Sequence, residues 1–158
     1  MKRSEIILWA LVGLMAVAVA GVGGWRWLAP SGEAPTLATA VADPGCDLHR
    51  AACSARLENG GTALLSIEPR PIRPVEPLSV RVALGGIEAE RVELDFAGVE
   101  MNMGFNRFPL EAAATGEFTG AAMLPVCVRN RMLWEVQVLA FTDEGVYRFP
   151  FRFDTVQQ

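Results

Sequence analysis

Between positions 78 and 98 the chain writes one pattern twice. In LSVRVAL (78–84), Leu78, Val80, Val82 and Leu84 fall on one parity and Ser79, Arg81 and Ala83 on the other. RVELDFAG (91–98) repeats it, with Val92, Leu94 and Phe96 against Arg91, Glu93 and Asp95. A period of two puts successive side chains on opposite faces of a strand, so each run should have one face on a core and one in water. Both runs are expected to be strands half covered by a core.

The neighbouring segments follow the same logic. ACSARL (52–57) and TALLSIE (62–68) flank Glu58-Asn59-Gly60-Gly61, which supplies the positive-φ residues of a hairpin turn. PRPIRPVEP (69–77) has four prolines, which remove backbone donors and predict an extended crossing or a kinked edge. Further strands are expected at 116–128, 132–141 and 146–153, and Trp134, Val136 and Val138 share a parity that should face inward. About seven strands within some 110 residues point to an all-β fold, an immunoglobulin-like antiparallel β-sandwich.

A different pattern precedes this domain. Residues 6–24 run without a charge, after Lys2, Arg3 and Glu5 and before Trp25 and Trp27. Nineteen helical residues would be about 30 Å long, the thickness of a hydrocarbon core. The expectation is one transmembrane helix in a bacterial inner membrane, with the amino terminus cytoplasmic and the rest periplasmic. A cleaved signal peptide is the rival, because Ala16, Ala18 and Ala20 offer small residues at alternate positions. The run accounts for much of the 51% hydrophobic content and the mean hydropathy of +0.27. Small residues with Pro30 and Pro35 then suggest a linker. The expected organisation is an anchor at 1–28, a linker at 29–44 and a β domain at 45–158.

From residue 30 onward there are 11 arginines and 17 acidic residues, a formal charge of −6 with no lysine. An acidic domain is a poor partner for nucleic acid. The single His has no evident Asp partner or nucleophile elbow, and no phosphate-binding glycine loop opens a helix, so no enzyme is expected.

Sulfur is the concentrated chemistry. Met101, Met103, Met123 and Met132 fall within 32 residues, and Cys127 lies among them. Met101 and Met103 share a face of an extended segment, and Met123 and Cys127 share a face of one expected strand. Thioether and thiolate are soft donors suited to Cu(I), which makes these five residues a candidate metal site. Packing is the competing account, since methionine and free cysteine both fill cores. Met123 and Met132 adjoin apolar strand positions and fit packing better. Met101 and Met103 stand in the polar stretch EMNMGFNR.

Cys46, His49 and Cys53 in CDLHRAAC admit two exclusive arrangements. A helix opened by Asp43 and Pro44 would line all three on one face as metal ligands. An extended loop would let Cys46 and Cys53 form a disulfide, the commoner outcome in an oxidising compartment. A helix would hold the two Cα atoms about 10 Å apart, beyond disulfide reach. The disulfide would leave Cys127 as the odd thiol.

The span 101–139, with Met101, Met103, Gly104, Leu110, Gly116, Phe118 and Trp134, resembles the YtkA-like and FixH-like periplasmic Ig-like domains. The resemblance implies a membrane-anchored accessory protein that binds or delivers Cu(I), with cytochrome oxidase assembly or other copper-handling proteins as partners. The alternative is a metal-free sandwich serving as an interaction or scaffold subunit of a membrane complex.

Overall fold

The computed structural model describes residues 3–28, 34–102, 104–126 and 129–156. The chain divides into two compact units, Met1–Glu33 and Ala34–Gln158. The first contains one helix, α1 (Arg3–Leu28).

Among the described residues no helix is long and apolar enough to cross a membrane. This corrects the expected transmembrane anchor, and with it the inner-membrane, single-pass localisation. An uncharged run in sequence meets the compositional condition for a span, but a span also needs a helix that is both long and apolar throughout, and the described helix does not satisfy that.

The second unit is all-β, as expected, but its architecture differs from the expected seven-stranded sandwich. Among the described residues it has ten strands: β1 (Thr36–Thr39), β2 (Val41–Ala42), β3 (Cys53–Arg56), β4 (Thr62–Glu68), β5 (Leu78–Gly85), β6 (Arg91–Gly98), β7 (Arg107–Ala114), β8 (Glu117–Ala122), β9 (Arg131–Phe141) and β10 (Val146–Val156). They join in one continuous sheet, ordered β1-β10-β9-β6-β7-β8-β5-β4-β3-β2. β1 and β2 lie within the segment expected to be linker, so the folded unit begins at Ala34.

Two strand switches curl this sheet into a nearly closed barrel. The first half of β7 pairs with β6, from Asp95↔Arg107 to Val92↔Leu110, and the second half pairs with β8, at Glu111↔Thr119 and Ala112↔Phe118. At the sheet's ends, β1 runs parallel to β10 and β2 antiparallel to β3, with only Ala40 between them. Ala40 is buried and donates its N–H to the Arg148 carbonyl, 2.8 Å away. β10 also lies against β2 and β3 without a ladder to either.

The alternating runs take the expected faces. Leu78, Val80 and Val82 are buried, as are Val92, Leu94 and Phe96 on β6 and Trp134, Val136 and Val138 on β9. Leu84 is only half-buried. The 58–61 turn closes the β3–β4 hairpin, with Gly60 at φ +93° and the Leu57 N–H on the Gly61 carbonyl. The proline segment crosses the barrel end, burying Ile72 and tying the Val75 N–H to the Leu124 carbonyl at 3.0 Å. The fully buried Trp134 donates its indole N–H to the buried Thr155 hydroxyl at 2.9 Å.

Gly120 makes the turn at β7 possible. A Cβ there would stand 2.6 Å from Leu110 Cδ2 and 3.2 Å from the Pro109 carbonyl. We expect Gly120→Ala to destabilise the fold by about 1–3 kcal/mol through overpacking. Thr155→Val should cost about 1–3 kcal/mol by orphaning the Trp134 N–H. Urea unfolding checks both, and a loss below about 0.5 kcal/mol, the usual range of neutral surface changes, would refute either account.

Candidate functional site

Cys46 and Cys53 form a disulfide, their Cα atoms 5.5 Å apart. The loop between them is a turn in which the Arg50 and Ala51 N–H groups both reach the Asp47 carbonyl, rather than a helix. That choice removes the three-ligand alternative, because the sulfurs are consumed by each other. His49 is consumed too. Its Nδ1 accepts the Ile72 N–H at 3.1 Å, which leaves the proton on Nε2 to be donated to the Asp154 carbonyl at 2.6 Å. The ring also meets Phe153 edge-on, with centroids 5.9 Å apart. His49 therefore joins the disulfide loop, the proline segment and β10, and both ring nitrogens are engaged.

The sulfur window separates into different environments. Met132 is 1% exposed, on the inward parity of β9 with Trp134, and belongs to the core. β8 ends at Ala122, so Met123 is not on the expected long strand through 128. It is 42% exposed in the connection that follows. Met101 is half-buried and packs against the core from the β6–β7 connection. Met103 and Cys127 lie outside the described residues.

The loops carrying Met101 and Met123 meet at one end of the barrel. Val99 donates its N–H to the Leu133 carbonyl at 3.0 Å, and Arg129 pairs with Glu100 at 2.8 Å. The end of β6 and the β6–β7 connection line a shallow hollow of about 420 Å³ that includes Val99, Glu100 and Met101. Among the described residues, no group of three or more His, Cys, Asp or Glu is placed to hold a metal.

Phe105 was missed by the sequence reading. The Asn102 side chain accepts the Gly104 N–H at 2.8 Å, and Gly104 takes φ +77°. That turn leaves Phe105 80% exposed. The Arg107 guanidinium lies 5.0 Å from its ring centroid and donates to Asp95 at 2.9 Å. Val99 and Val126 are exposed on the same loops, and Val75, on the proline segment between β4 and β5, is exposed and holds φ +63°, an uncommon conformation for a β-branched residue. The signal available in sequence was Asn102-x-Gly104 followed by an aromatic, a turn that lifts its next residue off the surface.

The arrangement offers an apolar loop end that carries Met101 and Met123. His49→Ala should destabilise the protein by about 1–3 kcal/mol, by orphaning two backbone groups. Hydrogen exchange at the Ile72 amide should accelerate, and an unchanged rate would contradict the role given to His49. Compared with protein-family models, with curated proteins and with solved structures, the chain finds no match, so its resemblance to the YtkA-like and FixH-like domains rests on the quoted residues alone.

Proposed function

We propose that the β unit is a non-catalytic accessory module that receives a protein partner on the loop end built from 99–106 and 123–130. The observation carrying this reading is the 80% exposure of Phe105 on a turn held from both sides. A large apolar side chain held in water by its own turn is the form of a docking anchor. Val99, Met123 and Val126, on the two loops of this end, are exposed as well. The disulfide suits a chain that works in an oxidising environment.

A second reading, Cu(I) binding at the same end, is favoured by one feature. Met101 and Met123 stand on loops that meet, and Met123 is open to solvent. Thioethers bind Cu(I) and few harder ions. In this reading Met103 and Cys127 are the further ligands, Met132 is packing, and the partner is a copper-handling protein such as an oxidase assembly factor.

Two experiments test these readings on the full chain. A photoreactive amino acid at position 105 should crosslink one discrete partner in the source cell, whereas one at exposed Val41 should not. Equal yields at the two positions would remove the docking reading. In anaerobic titration against a chromophoric Cu(I) chelator, Met101→Leu/Met123→Leu should weaken binding at least tenfold. Unchanged affinity in that variant would remove the copper reading and leave the first intact.

A further inference from the structure

The opposite end of the barrel carries a second feature, created where β6 and β7 part. Their ladder stops at Val92↔Leu110, but β7 continues to Ala114 on β8. The β5–β6 connection, 86–90, therefore passes the β7–β8 hairpin at a distance and leaves a cleft of about 800 Å³ between them. Leu84, Ile87, Ala112 and Phe118 line its apolar part. Ala112 and Ala114 leave it open because their methyl groups reach so little of the gap.

Both walls are held in place. The Leu84 N–H reaches the Gly116 carbonyl at 2.7 Å, and a Cβ on Gly116 would stand 2.8 Å from the Leu84 carbonyl, so the hairpin tip is clamped on β5. Across the cleft, the Glu90 N–H reaches the Phe141 carbonyl at 2.9 Å. Ile87 packs so closely on Gly61 that a Cβ there would lie 2.9 Å from its Cδ1.

The charges around this cleft are of one sign. Glu88 and Glu90 line it, both are exposed, and among the described residues neither makes an ion pair. The next arginine, Arg91, is turned away: it pairs with Glu93 and lies 3.8 Å from the Phe141 ring centroid. The charge of −6 beyond residue 29 adds a field of the same sign.

We propose that this cleft binds a small organic cation, an aromatic or aliphatic body bearing a single ammonium group. The body would lie on Ile87, Ala112 and Phe118, and the ammonium would stand at Glu88 and Glu90. The volume falls in the range of about 300–1,000 Å³ typical of small-molecule sites. The site is independent of the Met101 loop end, because β6 and β7 separate the two along their full length.

The test uses the full chain and 2-phenylethylammonium, with 2-phenylethanol and 3-phenylpropionate as neutral and anionic counterparts. Saturable chemical-shift changes at 86–90 and 112–118 are expected with the ammonium, at least tenfold weaker binding with the alcohol, and none with the carboxylate. Glu88→Gln/Glu90→Gln, confined to exposed side chains, should weaken the ammonium at least tenfold and remove most of its salt dependence. Ala112→Leu should abolish binding by filling the cleft. The proposal is overturned if the carboxylate binds as well as the ammonium, if the glutamine variant binds unchanged, or if no saturable shift occurs at those residues.

Discussion

The rest of the structure depends on the change of partner midway along β7. Up to Leu110 this strand belongs to β6, and from Glu111 it belongs to β8. A strand that serves two neighbours in succession turns what would be two stacked sheets into one surface bent around a single core. The bend needs the β7 backbone to approach β8 closely, and Gly120 supplies the room opposite Pro109 and Leu110. It also determines where the surface opens. Where β7 leaves β6, strands splay beside 86–90. Where β8 ends at Ala122, the chain must travel through 123–130 to re-enter at β9, beside the β6–β7 loop. Both candidate sites follow from one switch.

The remaining seam, along β10, is closed by other means. The Val146 N–H and the Arg148 carbonyl are bonded to Pro35 and Ala40, so even positions of β10 present their backbone groups to that side. Pro150 falls on this parity and has no N–H to offer, and the Asp154 carbonyl is taken by His49. A strand edge with a missing donor and an occupied acceptor is a poor template for another chain. The disulfide loop thus does structural work through His49: it holds the imidazole where β10 would otherwise expose a carbonyl.

Much of the sheet was legible because burial follows alternation wherever a strand keeps one neighbour on each side and one face inward. β5, β6 and β9 meet that condition over most of their length, and there the inward residues are those the pattern selects; Leu84 at the end of β5 is only half-buried, and Leu139 of β9 is buried off the parity. β7 does not. Around Pro109 it changes neighbours, and only Leu110 of its eight residues is buried, so RFPLEAAA has no period to read. β1 and β2 escaped for a related reason: each is too short for alternation, and small residues between prolines look like linker. The uncharged run at 6–24 shows the opposite failure, a strong compositional signal that the described helix does not support as a membrane span.

The sulfur cluster divides along the same physical line. Met132 shares its parity with Trp134 and Val136, and that alone would have placed it in the core. Met123 follows the last residue of β8, where parity ceases to carry information, and its exposure depends on a loop that sequence does not define. Phe105 is the instructive case, because an aromatic near a strand is ordinarily counted toward the core. Here the Asn102–Gly104 turn reverses the chain immediately before it, and Arg107, tied to Asp95, covers one side of the ring. On the barrel wall, Arg107–Asp95 and Arg152–Glu135 are pairs that a new partner would have to displace. At the β5–β6 connection Glu88 and Glu90 make no ion pair among the described residues, so a cationic ligand gains contacts there without breaking an existing one.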